Sequence, residues 1–278
     1  DSLAIQQTII NGNPGNSVVR FENNETAGAR LAGLTITGGT GKLISMVPHG
    51  GGVYVNNAGP TLETLIISNN TASGMGGGVG GGIYLSNSGA VISGCRILNN
   101  ETSYGGGIRC DGGNITVSGC TISNNFAVQT GGGVMFLSSP ESTIEYCVFT
   151  GNSAIYGGTI ACNNSTILIN KSTLFHNTGL YGGAVNLEGM ANAIIANSIF
   201  WKNAMNPANV NEIEFGAGSS TVFVSHSDIY GGQQGVVGTG TLNWLQGNLN
   251  INPEFNDTAT LDLTLPETSP CVDAGTDI

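Results

Sequence analysis

Basic residues are scarce in this 278-residue chain, which has seven lysines and arginines against eighteen aspartates and glutamates. Charged residues make up only 9% of the chain, and its formal net charge is −11 at pH 7. Proteins that bind nucleic acids neutralise phosphates with clustered lysine and arginine, so this composition predicts no nucleic-acid partner. The negative charge also makes unaided binding of acidic polysaccharides harder. No apolar run approaches the roughly 20 residues of a membrane-spanning helix, and we predict no membrane span.

The usual sequence marks of metal binding and catalysis are also missing. None of the six cysteines belongs to a CxxC pair, so no zinc site is predicted and no metal ligands are assigned. His49, His176 and His226 occupy unrelated positions, and no closely spaced pair of carboxylates is visible for acid–base work. These absences favour a non-catalytic protein and leave open whether the chain is an enzyme.

Glycine, by contrast, is abundant at 45 residues, and it recurs in clusters. A Gly-Gly-x-Ile/Val signal recurs every 25 to 30 residues and ends at Val53, Ile83, Ile108, Val134, Ile160 and Val185. An Ile/Leu/Phe-x-x-Asn signal keeps nearly the same period and ends at Asn70, Asn100, Asn125, Asn152, Asn177 and Asn203. Two independent markers with one period indicate an array of stacked units.

Each repeat contains three short segments in which apolar and variable residues alternate, as in half-buried strands. About 25 residues per repeat leave room for tight corners but not for helices. We therefore predict an all-β parallel β-helix of about nine rungs, each with three short strands. Gly232 falls on the asparagine position of one more rung, and after it the period is lost. We predict a β-helix over residues 1–232 and an irregular C-terminal capping segment over residues 233–278, packed on the same solenoid.

The corner residues have predictable roles. Asparagine tolerates left-handed backbone geometry, and asparagines stacked in successive rungs can form a ladder of hydrogen bonds. The glycine clusters mark a second corner, where a side chain would clash or φ is positive. Repeat alignment also places five cysteines in inward columns, where we predict buried free thiols, with a disulfide between adjacent rungs as the alternative. These are Cys95, Cys120 and Cys147 in one column, and Cys110 and Cys162 in another.

Four segments resemble parts of known families. Gly182-Gly183-Ala184-Val185, together with Phe149-Thr-Gly-Asn152, is similar to the paired GGAI and FxxN repeats of polymorphic outer-membrane proteins. The run from Gly247 to Phe255, followed by Ser269-Pro-Cys-Val-Asp-Ala-Gly275, resembles the end of secreted bacterial choice-of-anchor β-helix proteins. The resemblance implies a single-stranded right-handed coil of the pectate-lyase-like superfamily, found in the medium or on the cell surface. It implies no particular reaction, because enzymes, adhesins and inert spacers share this coil.

Candidate binding residues lie in one outward column and one insertion. Tyr54, Tyr84 and Arg109 occupy the middle position of the first strand on three successive rungs, and Asp111 follows Arg109 closely. Such a row can hydrogen-bond and stack on sugar rings, although tyrosine and arginine are equally at home on an ordinary strand surface. Insertions over residues 39–50 and 71–79 interrupt the period on adjacent rungs and should project from the same edge.

The first insertion adds Lys42 and His49 to the candidate binding residues. Tyr104, Tyr156 and Tyr181 precede glycine clusters at matching positions and are predicted to stack on one another.

We favour an extracellular or cell-surface bacterial protein, adhesin-like or carbohydrate-binding, that acts as a monomer on a polysaccharide or cell-surface glycan. The first alternative is a polysaccharide lyase for uronate-containing glycans of the pectate or alginate type. For that activity the resemblance implies a basic residue as the catalytic base, with Arg109 the candidate, and Ca²⁺ as a possible cofactor. The second alternative is a structural spacer.

Overall fold

A computed structural model of the chain describes residues 2–74, 76–204 and 210–276. Within these ranges the chain winds into a parallel β-solenoid of about nine turns, which confirms the predicted all-β fold. Each turn contributes one strand to each of three nine-stranded sheets, named here sheets A, B and C in the order in which the chain visits them. Neighbouring strands in each sheet pair in parallel, and each strand meets its equivalent one turn away.

The strands of sheet A are Ile9–Asn11, Thr35–Thr37, Ile66–Ser68, Arg96–Leu98, Thr121–Ser123, Val148–Thr150, Thr173–Phe175, Ile199–Trp201 and Asp228–Ile229. Those of sheet B are Val19–Phe21, Val53–Asn56, Ile83–Ser86, Ile108–Asp111, Val134–Leu137, Ile160–Asn163, Val185–Gly189, Ile213–Gly218 and Val236–Gly238. Those of sheet C are Arg30–Ala32, Thr61–Glu63, Val91–Ser93, Thr116–Ser118, Ser142–Glu145, Thr166–Asn170, Asn192–Ala196, Thr221–Ser225 and Thr241–Trp244.

The remaining elements depart from the three-strand rung. A fourth sheet, sheet D, follows the asparagine corner with the strands Thr71–Ala72, Glu101–Tyr104, Phe126–Thr130, Ser153–Tyr156 and Thr178–Tyr181. An antiparallel hairpin joins Lys42–Ile44 to Val47–His49. Two helices lie outside the regular repeat, an α-helix at Ser2–Gln7 and a 3₁₀ helix at Gly232–Gly235.

The interior is one continuous apolar core, because alternate residues of each strand point inward. One inward column of sheet C is fully buried, and its members are Leu62, Ile92, Val117, Ile144, Ile169 and Ile195. The five cysteines of the two predicted columns are buried free thiols in the described structure, as expected.

The predicted asparagine ladder is present. From Asn70 to Asn177, the backbone N–H and the Nδ2 of each ladder asparagine donate to Oδ1 of the next, at 2.8–3.1 Å. Each Nδ2 also donates to a carbonyl of the preceding turn, as from Asn125 to Ile97 at 2.9 Å. The expected left-handed backbone belongs to the residue before the ladder position, for example Asn124 with φ 54°.

The ladder ends on a carboxylate instead of Gly232. Glu212, which immediately precedes the sheet B strand Ile213–Gly218, is only 1% exposed. Its Oε1 accepts the backbone N–H of Asn203 at 2.9 Å, and its Oε2 accepts Nδ2 of Asn203 at 2.7 Å. Strand register pairs Phe200 with Ile229, and Gly232 follows Ile229 by three residues as Asn203 follows Phe200. Because glycine has no side chain, Glu212 from the glycine-corner segment supplies the acceptor at this end of the ladder.

Both predicted reasons for the glycine clusters, positive φ and lack of space for a side chain, are confirmed. They apply to successive glycines of each cluster. The first glycine of a cluster has positive φ, as Gly131 does at 67°. The second lies against the backbone of the next rung, so that a Cβ on Gly132 would come within 2.3 Å of the Gly158 oxygen. Neither position tolerates a side chain without local rearrangement.

The segment after residue 232 at first extends the solenoid. Its two strands join sheets B and C, and Leu249 bridges to Asp228 of sheet A. Residues 251–276 then pack on the outer face of sheet A, where Phe255 meets Phe175 edge to face at 5.3 Å between ring centroids. The backbone N–H of Thr276 donates to Oδ1 of Asn197 at 2.7 Å. The division of the chain at residue 232 stays a prediction.

Candidate functional site

The insertion over residues 39–50 forms the hairpin that carries Lys42 and His49. Ser45 and Met46 at its tip have φ values of 49° and 69°, the pattern of a type I′ turn. This turn holds the two short strands in antiparallel register, with Lys42 opposite His49. The hairpin therefore fixes both predicted side chains on one rigid element.

The second insertion lies beside the hairpin, as predicted, with Met75 outside the described residues. His49 bridges in parallel to Val79, and Val79 bridges to Tyr104. The amide of Val79 donates to the carbonyl of Pro48 at 3.0 Å. The hairpin thus continues sheet D and lies over the outer face of sheet B.

Strand register places Tyr54, Tyr84 and Arg109 in one outward column, as predicted, and adds Arg20 at its start. The two tyrosine rings stack nearly parallel, with centroids 5.7 Å apart. Their expected location on an open strand surface is wrong, because they are only 3% and 7% exposed. They form a small second core with Val79, against which Ile44 and Tyr104 pack.

Asp111 connects this buried pair to Arg109. Its Oδ2 accepts the Tyr84 hydroxyl at 3.0 Å, and its Oδ1 accepts Nε of Arg109 at 2.7 Å. The Arg109 guanidinium also lies 5.5 Å from the ring centroid of Tyr104. One carboxylate therefore orders a phenol and a guanidinium at the edge of the small core.

Lys42 lies at the opposite end of the small core from Arg109. Its ammonium forms an ion pair with Glu22 and lies 4.6 Å from the ring centroid of Tyr54. Glu22 is also paired with Arg20 at 3.4 Å. All six predicted binding residues thus belong to one continuous set of contacts.

Burial shifts the pKa values of His49 and Tyr84. The pKa of His49 is lowered, chiefly by burial, so the ring is neutral near pH 7. Its Nδ1 lies 2.8 Å from the carbonyl of Val47, which makes Nδ1 the protonated nitrogen. The pKa of Tyr84 is raised, first by burial and then by the charge of Asp111, so this phenol stays a hydrogen-bond donor.

The chemistry available at this surface is hydrogen bonding and ion pairing. The guanidinium of Arg109 has N–H donors beyond the Nε–H that Asp111 accepts. The carboxylates of Asp111 and Glu22 supply acceptors beside these donors. An arrangement of this kind recognises hydroxyl and carboxylate groups.

Sequence reasoning missed Arg20 and Glu22, although a signal was present: in Val19-Arg20-Phe21 the alternation of apolar and polar residues marks Arg20 as the outward residue of a strand. Its register alone would have put Arg20 beneath Tyr54.

Of the three tyrosines expected to stack, Tyr156 and Tyr181 do so, with ring centroids 4.9 Å apart. Tyr104 instead donates its hydroxyl to Gln129 at 2.9 Å.

Among residues 2–74, 76–204 and 210–276, no group of three or more histidine, cysteine or acidic side chains is arranged to hold a metal ion. In the same ranges no helix has the length and hydrophobicity needed to cross a bilayer.

Comparison with known proteins identifies one family. The model described as "Right handed beta helix region" matches residues 8–160 and 51–250, two overlapping matches that together include every residue of the candidate site. No curated protein and no solved structure matches the chain.

Proposed function

We propose that this chain, which belongs to the right-handed β-helix family, is an adhesin-like bacterial protein that binds a glycan at the cell surface or in the medium. Its binding surface would be a basic rim, defined as Arg20, Glu22, Lys42, Arg109 and Asp111. The ligand we propose is an oligosaccharide that lies along the outer face of sheet B.

The observation that carries this proposal is the concentration of scarce basic residues. Three of the chain's seven lysines and arginines lie in the basic rim, although the whole chain has a net charge of −11. The rim side chains are partly open, with 45% exposure for Arg20, 28% for Lys42 and 11% for Arg109. Arg20 and Arg109 are three rungs apart, or about 14 Å at the usual strand spacing, which suits a chain of sugars better than one sugar.

The buried tyrosines support this surface from below. Because Tyr54 and Tyr84 are covered, they do not offer a ring face to a sugar, and their role here is to hold Lys42 and Asp111 in place. Groups fixed in this way lose less conformational entropy when a ligand binds.

A glycan array screened at low and physiological salt tests the proposal. We expect binding of an oligosaccharide that is weakened at least tenfold when Arg20→Ala and Lys42→Ala are combined. Arg96→Ala, an exposed arginine on sheet A, is the matched control and should leave the affinity unchanged.

Two results would overturn the proposal. Absence of any glycan ligand would favour the structural spacer. Release of unsaturated uronate from pectate or alginate, stimulated by Ca²⁺ and lost in Arg109→Ala, would favour the lyase.

A further inference from the structure

The C-terminal end of the coil leaves two strand edges open in the described structure. Val236–Gly238 and Thr241–Trp244 are the last strands of sheets B and C, and each pairs with the strand before it. The chain then crosses to sheet A, where Leu249 bridges to Asp228. Within the described part of the chain, no further strand covers the other two edges. This end is therefore covered at sheet A and open at sheets B and C.

The open edge of sheet C has both hydrogen-bonding groups and apolar surface. The amides of Thr241 and Leu245 donate to carbonyls of the preceding rung at 2.9 Å and 2.8 Å. Because successive residues of a strand direct their backbone groups to opposite sides, those of Leu242 and Trp244 face the open side. Their side chains pack on the core but stay partly exposed, whereas Val222 and Val224, their partners in register, are 0% exposed.

This edge lacks the usual protection against pairing. Exposed sheet edges are commonly blocked by charged side chains, prolines or bulges, and Thr241–Trp244 contains none of these. No charged residue occurs between Asp228 and Glu254. At the opposite end of the coil, the first strands of sheets B and C carry Arg20 and Arg30, whose side chains are 45% and 60% exposed. The last strand of sheet C therefore has the character of a strand that pairs with another.

We propose that this edge is a self-association site, at which two copies of the chain form a dimer. Thr241–Trp244 pairs antiparallel with the same strand of a second copy, around a two-fold axis at Asn243. In this register Leu242 of each copy lies opposite Trp244 of the other, and their backbone groups form four hydrogen bonds. The partly exposed apolar side chains of the two copies then meet across the axis.

A second copy is the partner that best fits the edge. Two-fold symmetry makes an edge strand complementary to itself, so the matching strand is already present in this chain. Each copy has a net charge of −11, and two such copies repel each other least where their surfaces carry no charge.

The dimer departs from the monomer expected from the sequence, and it goes beyond the proposed function because its formation requires no glycan. It would also place two basic rims on one particle and so favour binding to a polymer by avidity. That consequence alone rests on the proposed function.

Sedimentation velocity over a range of protein concentrations measures the association, and we expect a reversible dimer. Asn243→Lys brings two like charges together at the two-fold axis and should raise the dissociation constant of the dimer at least tenfold. Thr143→Lys is the matched control, because Thr143 is also partly exposed and lies in the same outward column four strands earlier. The control should leave the dissociation constant unchanged.

Asn243→Cys tests the register itself. In the proposed pair the two copies of this residue face each other with Cα atoms about 4.5 Å apart, which is within the range of a disulfide. Oxidation should therefore cross-link Asn243→Cys into a covalent dimer and leave Thr143→Cys without one. Circular dichroism verifies that each variant is folded.

Three results would overturn the proposal: a monomer at every concentration, a dimer that Asn243→Lys leaves intact, or no cross-linked dimer of Asn243→Cys. None of them bears on the basic rim, whose test uses other residues and measures glycan binding.

Discussion

The buried carboxylate at the end of the asparagine ladder should make the stability of the fold depend on pH. Burial raises the pKa of Glu212 from 4.5 to about 7, and the charge of Asp228 adds to the effect. The folded carboxyl therefore binds its proton more tightly than the unfolded one. The contribution of this group to stability is fully present below pH 4.5 and is lost as the pH rises through about 7.

The size of the effect follows from the two pKa values. They differ by about 2.5, and each pKa unit corresponds to ~1.36 kcal/mol, so the loss amounts to about 3 kcal/mol. Glu212→Gln removes the titration and keeps the shape, and the amide oxygen can accept both donors of Asn203, as the ladder asparagines do. The variant should match the natural protein near pH 4 and be more stable by about 3 kcal/mol near pH 8.

Urea denaturation followed by far-ultraviolet circular dichroism between pH 4 and pH 8 measures this difference. Other titrating groups are common to both proteins and cancel in the comparison; among them are His49 and His176, whose lowered pKa values act in the opposite direction. Glu267→Gln, at an exposed carboxylate, is the control and should give a curve parallel to that of the natural protein. If the Glu212→Gln curve is also parallel, the ladder does not end on a titrating carboxylate and the reasoning fails.

Three further predictions concern the repeat itself. Asn125→Ala removes the acceptor of Asn100 and a buried donor, and should lower the free energy of unfolding by about 3 kcal/mol or more in chemical denaturation. In the same assay Gly132→Ala should be at least as damaging, whereas Gly89→Ala, where the nearest atom to a new Cβ is 4.0 Å away, should change stability by less than about 1 kcal/mol. An aromatic disulfide reagent should find no fast-reacting buried thiol in the native protein and should react with all six cysteines after denaturation. Fewer than six reactive thiols after denaturation would show that a disulfide had formed.

The features that were predicted best from the sequence are those that the repeat determines. Ile83 and Ile108 occupy the same place in the period, and strand register pairs them directly. Period and alternation were enough to place the inward columns, because equivalent residues in successive rungs have the same surroundings. The ladder was predictable for the same reason, since each asparagine in that corner meets the equivalent asparagine one rung away.

What could not be predicted depends on segments outside the period. Tyr54 and Tyr84 alternate as outward residues should, and only the path of the hairpin buries them. Sheet D was missed because each of its strands buries only one small residue, and two register shifts interrupt the pairing. Glu212 was missed because the step from Asn203 is only nine residues, far from the period. None of these contacts leaves a regular signal in one sequence.

The same distinction explains where ligand-binding chemistry can arise in this fold. A regular rung offers a flat outer surface with one side chain per position, so it cannot by itself enclose a ligand. The hairpin on sheet B orders charged groups around a covered pair of tyrosines. There an irregular segment buries outward aromatic side chains and leaves polar groups at its edge. Under the proposed function, the regular coil supplies rigidity and spacing, and an interruption of its period, the hairpin on sheet B, supplies the recognition surface.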